Sequence, residues 1–123
     1  MGSTVLIVDD AAFMRVMLRD ILLQMGLDVV GEGEDGEQAV ELFRRLRPDL
    51  VMLDVRMPGT DGLTALERIV AEDPAAQVVM ITPLGQKEAV LASIKTGARD
   101  FVIKPFDQER VQETVQRVLT APV

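Results

Sequence analysis

Four short apolar runs each stop at a polar residue capable of chemistry. Val5-Leu6-Ile7-Val8 stops at Asp9-Asp10, and Leu50-Val51-Met52-Leu53 at Asp54. Val78-Val79-Met80-Ile81 stops at Thr82, and Phe101-Val102-Ile103 at Lys104. Runs of this length, apolar at successive positions, predict strands buried on both faces, which is the habit of a parallel sheet.

Between the runs the apolar period changes to that of a helix. After Asp10, the residues Met14, Leu18, Ile21, Leu22 and Met25 share one face, and Gly26 closes the segment. Val29 and Val30 predict a short strand near 28–32. Asp35 is placed to cap a second helix, with Gln38 at the reciprocal capping position. That helix carries Ala39, Val40, Phe43 and Leu46 and stops before Pro48. A third helix follows Thr60-Asp61, carries Leu63, Leu66, Ile69 and Val70, and stops before Pro74. A fourth is predicted from about Gln86 to Thr96, with Gly97 as its stop. A fifth starts after Pro105-Phe106-Asp107 and carries Val111, Val115, Val118 and Leu119.

Five strand–helix units with short connections predict an α/β fold. It is a doubly wound, five-stranded parallel sheet with right-handed crossovers and helices on both faces. No linker, repeat or low-complexity segment divides the chain, so one domain is expected over 1–123. In a parallel sheet all strand C-termini lie along one edge, where open α/β sheets bind ligands. The four polar stops should therefore meet.

Composition narrows what this edge can do. Thirteen basic and 20 acidic residues give a net charge of −7, which argues against direct contact with nucleic acid. Histidine and cysteine are absent, which excludes His–Cys zinc sites, thiolate chemistry and a Ser-His-Asp triad. The N-terminal residues lack the pattern of a signal peptide, Leu6 stands where a myristoylation signal requires Ser or Thr, and no apolar run is long enough to span a membrane. A cytoplasmic protein is expected.

Asp9, Asp10 and Asp54 at one edge would repel one another unless a proton or a cation intervenes. An all-oxygen set with few carboxylates selects a hard ion, and Mg²⁺ rather than Ca²⁺. A helix cap would account for one of the first two acids but not for Asp54. Asp54 directly follows four apolar residues, although Asp is a poor strand former. It can be the start of the turn Arg56-Met57-Pro58-Gly59. Beside a cation and Lys104 it can also be a nucleophile toward phosphorus. Phosphoryl transfer mainly needs positioning and charge neutralisation, for which Lys104 supplies charge and Thr82 a hydrogen-bond donor.

The segments VLIVDDAAFMR at 5–15, DLVMLDVRMPGTDG at 49–62 and DFVIKPF at 100–106, with Thr82 between them, resemble the receiver domains of bacterial two-component signalling over essentially the whole chain. Asp9 to Arg15 and Gly85-Gln86 further resemble the stand-alone CheY-like chemotaxis regulators. The strand order 2-1-3-4-5 is the one known for that family and comes with the resemblance. The resemblance implies that Asp54 is the phosphoacceptor. It implies direct Mg²⁺ ligation by Asp10, Asp54 and the backbone carbonyl of Arg56, with Asp9 acting through water or by orienting the ion. Lys104 would pair with the phosphoryl group, Thr82 would be the switch hydroxyl, and Phe101 the aromatic that turns on activation. Lys87, Val90 and Phe101 are candidates for a partner-reading face built from the fourth helix, fifth strand and fifth helix; an inward Val90 would be ordinary core. A CheA-like histidine kinase would be the phosphodonor, and a flagellar switch component or a phosphatase the downstream partner. A monomer is expected that promotes only its own phosphorylation and dephosphorylation.

One position departs from the pattern. The residue after the switch hydroxyl is usually small, and its N–H helps hold the phosphoryl group; here it is Pro83, which has no N–H. A weakened phosphoryl pocket or an altered loop after the fourth strand is expected. Arg56 is placed to lie over the mouth of the site. Other readings share parts of the pattern. A phosphatase with an Asp nucleophile needs a second acid where Arg56 stands, and a flavin-binding relative needs a phosphate cradle where Asp9-Asp10 would repel one. The third alternative is a receiver cut from a longer regulator.

Overall fold

The computed structural model describes residues 2–121, so the ends of the domain expected over 1–123 lie outside the described residues. Strands and helices alternate: β1 (Thr4–Val8), α1 (Ala12–Gln24), β2 (Asp28–Gly33), α2 (Gly36–Leu46), β3 (Leu50–Asp54), α3 (Gly62–Glu72), β4 (Val78–Pro83), α4 (Lys87–Thr96), β5 (Asp100–Lys104) and α5 (Gln108–Thr120). The strands form one parallel sheet in the order β2-β1-β3-β4-β5.

The period of two along each strand sorts side chains onto the two faces. Val5, Ile7, Met52, Val79 and Ile81 pack with Leu18, Ile21 and Leu22 of α1 and Val111, Val115 and Val118 of α5. Leu6, Val8, Val51, Leu53 and Met80 pack with Val40 and Phe43 of α2 and Leu66 and Ile69 of α3. The central strands β1 and β3 are covered on both faces, as their unbroken apolar runs require. At the edge, β2 alternates between exposed and partly covered positions, which is why its sequence carries so weak an apolar signal.

Local chemistry sets most boundaries. Asp61 accepts the N–H of Thr64, and Asp107 that of Arg110, at 2.9 and 2.8 Å. Asp35 accepts the N–H of Gln38, whose side chain reaches back to the N–H of Glu34, one residue earlier than the reciprocal box predicts. The fourth helix starts at Lys87, with Gln86 as its flanking residue. The first helix is flanked by Ala11 and has no side-chain cap. Neither Asp9 nor Asp10 performs that task, and both remain available to the sheet edge.

Candidate functional site

Strand register brings the acids together. Val8 pairs with Leu53, so Asp9 leaves β1 level with Asp54 at the end of β3. On the other side Asp54 pairs with Ile81, and the pairings Thr82–Ile103 and Pro83–Lys104 continue the edge into β5. The four polar stops thus lie on three adjacent strands and the outer strand beside them. The loop after β3 folds back tightly over this edge. The Gly62 N–H donates to the Val55 carbonyl at 2.9 Å, and a Cβ on Gly62 would stand 2.0 Å from the Asp54 carbonyl oxygen. Only glycine permits that approach.

Asp9 is fully buried and held from several sides. Its Oδ1 accepts the N–H of Ala11 at 2.9 Å, and its Oδ2 accepts Lys104 Nζ at 3.1 Å. Lys104 Nζ also lies 3.5 Å from Asp54 Oδ2. Asp54 is buried as well, and its Oδ1 accepts the Arg56 N–H at a long 3.4 Å. Burial pushes the Asp54 carboxyl up to about 6; the Asp9 charge adds to the rise and Lys104 opposes it. Asp10 is exposed. One carboxylate oxygen from each of Asp9, Asp10 and Asp54 lies within 4.8 Å of the others. Ligands of an octahedral ion with bonds of about 2.1 Å stand roughly 3 to 4 Å apart, so small side-chain adjustments fit this oxygen set to Mg²⁺.

Thr82 is buried, and its Oγ1 makes only a marginal 3.4 Å contact with the Pro83 carbonyl. Beside it a mostly apolar groove of about 300 Å³ runs between the β4–α4 loop, α4 and β5. Thr82, Val90 and Phe101 line this groove, with Lys87 at its rim. Val90 is buried, which is the ordinary-core alternative, although it still faces the groove; Phe101 is half-buried and Lys87 exposed. Pro83 does not cut β4 short, because the ladder continues through it to Lys104. The turn follows at Leu84-Gly85, with Gly85 at φ 91°.

Two pairings were not evident from spacing. Arg56 Nη2 donates to Gln86 Oε1 at 3.1 Å, which ties its side chain to the start of α4, and the two residues line one cleft with Asp10. Arg15 of α1 donates to the Asp9 carbonyl at 2.6 Å and sits against two acids near the end of β2, Glu32 and Glu34. Such pairs join long side chains from separate elements and leave no periodic trace.

Comparison with known proteins matches this arrangement. The response regulator receiver domain family matches residues 5–116. The chemotaxis protein CheY of Thermotoga maritima is 46% identical over 118 residues, covering 96% of this chain and 98% of the relative. Its Bacillus subtilis counterpart is 47% identical over 119 residues, covering 97% and 99%. Among solved structures, a CheX–CheY–BeF₃–Mg²⁺ complex from Borrelia burgdorferi superposes with a TM-score of 0.93 at 36% identity, covering 97% of this chain and 90% of the other. These relatives are signalling proteins rather than classical enzymes, which sets aside the phosphatase reading. No described helix is long and apolar enough to cross a membrane. With the predicted fold, the acid cluster and the matched motifs in agreement, the chain belongs to the response regulator receiver domain family and is a CheY-like receiver.

Proposed function

We propose that this chain is a phosphorylation-activated switch in which Asp54 accepts a phosphoryl group from a CheA-like histidine kinase. The observation that carries this reading is the meeting of buried Asp54 with Asp9, Asp10 and Lys104 at one sheet edge. An Asp54 carboxylate oxygen forms the new P–O bond as the P–N bond to the donor imidazole breaks. Lys104, already 3.5 Å from Asp54, moves toward the transferred oxygens and offsets their charge. Asp10, Asp54 and the Arg56 carbonyl would hold Mg²⁺, which neutralises charge on the transferring group. Asp9 has both oxygens engaged by Ala11 and Lys104, which favours an orienting role or one through water.

The group added to Asp54 carries roughly −1.5 to −2 charges and three acceptor oxygens. The loosely held Thr82 hydroxyl is free to turn toward it. Phe101 then moves into the space vacated, along the groove it already lines, and the α4–β5–α5 face changes shape. Lys87 and the groove floor at Val90 belong to the surface read by the downstream partner, a flagellar switch component or a phosphatase. The protein works as a cytoplasmic monomer without touching nucleic acid, and residues 1–123 act as a single receiver unit.

Incubation with Mg²⁺ and a small phosphodonor, followed by intact mass measurement, tests the core of this reading. A phosphoryl adduct is expected on the parent and not on Asp54→Ala. An adduct of equal yield on both would move the acceptor elsewhere.

A further inference from the structure

Arg15 touches none of the three acid side chains, yet it is built into the turn that presents two of them. Its side chain is 14% exposed, in the first turns of α1. Nη1 donates to the Asp9 carbonyl at 2.6 Å. On the other side, Nε lies 3.4 Å from Glu32 Oε1 and Nη2 3.5 Å from Glu34 Oε1. A guanidinium has donors fixed in one plane, so this arrangement ties the β1–α1 turn to α1 and to the end of β2 at once.

The remaining polar groups of Asp9 are already engaged. Its N–H donates to the Gly33 carbonyl at 3.1 Å, Oδ1 accepts from Ala11 and Oδ2 from Lys104. The bond from Arg15 holds the peptide that links Asp9 to Asp10. Asp10 is exposed, and that peptide plane sets where its side chain starts and so how its carboxylate can reach the cluster. Releasing the plane would let Asp10 swing away from Asp54 while leaving every carboxylate in place chemically.

We infer that Arg15 is a positioning residue for cation binding, which raises Mg²⁺ affinity by fixing the Asp9–Asp10 peptide without touching the ion. This rests on the reading of the acid cluster as a Mg²⁺ site. Charge alone predicts the opposite sign, because a nearby guanidinium repels a divalent cation and its removal should tighten binding. The two accounts therefore separate in one measurement.

The measurement is the Mg²⁺ dissociation constant by titration calorimetry on the whole chain, with melting in EDTA as a check of folding. Arg15→Met keeps the apolar stem and removes the fork; Arg15→Lys keeps the charge and removes the fork. Both are expected to weaken Mg²⁺ binding by about tenfold, the usual scale for residues that orient ligands. Glu32→Gln combined with Glu34→Gln frees the guanidinium from β2 and should weaken it less. Should Arg15→Met fail to fold, Arg15→Lys carries the test. Unchanged or tighter binding in a folded Arg15 variant, with binding lost in Asp10→Asn, overturns the inference and leaves the site standing. Absence of Mg²⁺ binding in the parent, or parent-like binding in Asp10→Asn, overturns both.

Discussion

Asp54 is a carboxylate that its neighbours make costly to ionise. It is buried, it faces the Asp9 charge, and Lys104 divides its attention between the two. Its pKa rises from 3.8 to about 6, so the folded chain holds more protons than the unfolded chain between these values. The contribution to stability is then most favourable below about pH 4 and is lost as pH rises through 6. Asp54→Asn should raise the unfolding free energy at pH 8 in EDTA by roughly 2–3 kcal/mol, and the gain should vanish below about pH 4. Urea titrations at several pH values check this, and a gain that does not vary with pH rules out titration of Asp54 as its origin. Pro83 raises the second question at this scale. It stands beside Lys104 in the β4–β5 ladder and has no N–H to offer a phosphoryl oxygen. Pro83→Ala restores a donor, and a hydrogen bond to a charged acceptor is worth about 1.5 kcal/mol or more. Beryllofluoride binding in the presence of Mg²⁺ should therefore tighten by about tenfold in Pro83→Ala. Equal affinity in the two proteins would mean that the loop supplies the missing contact from another residue.

The β3–α3 and β4–α4 loops meet through the Arg56–Gln86 hydrogen bond, and these two residues line one cleft with Asp10. A side chain tied within that cleft restricts the approach of water to an acyl phosphate. Arg56→Ala and Gln86→Ala cut the same tie from opposite ends, so both should shorten the lifetime of the phosphoryl adduct proposed on Asp54, by roughly three- to tenfold. Decay followed by intact mass tests this; a change in only one variant would mean that its side chain acts alone. This tie also marks the limit of what the sequence discloses. Elements whose signal is local were legible: the buried runs of β1, β3 and β4, the cap at Asp35, and the helix starts after Asp61 and Asp107, whose capping bonds the structure adds. The convergence of Asp9, Asp54 and Lys104 was legible because a parallel sheet has one C-terminal edge, and register puts Thr82 at the same edge. The Arg56–Gln86 and Arg15–Glu32 pairs were not, since they depend on how long side chains from separate elements settle after packing. The floor of the groove was ambiguous for a related reason: Val90 has the helical phase of a core residue, and the groove it faces is lined from across by Phe101 of β5, far from it in local pattern.

Across the whole molecule, stability and function pull against each other at one edge of the sheet. Both faces are packed with apolar side chains, while Asp9, Asp54 and Lys104 place charges in the little-solvated rim between them. Of the three acids clustered there, only Asp10 is exposed, and the chain as a whole carries a net charge of −7. A divalent cation at that rim relieves repulsion that the unfolded chain does not experience, because unfolding disperses the carboxylates. Binding to the folded state alone stabilises it by about 2.7 kcal/mol at a hundredfold excess over the dissociation constant. For a domain of this size that corresponds to a rise in Tm on the order of 10 °C. The rise should be larger at pH 8 than at pH 5, since protons compete with the cation for Asp54 below its pKa of about 6. EDTA should reverse it, and Asp10→Asn should lose most of it. Sodium chloride at matched ionic strength screens the general charge without occupying the cluster, and should reproduce only a small part. A rise matched by sodium chloride, or kept in full by Asp10→Asn, would assign the effect to screening of an acidic chain and remove the cation from the Asp cluster.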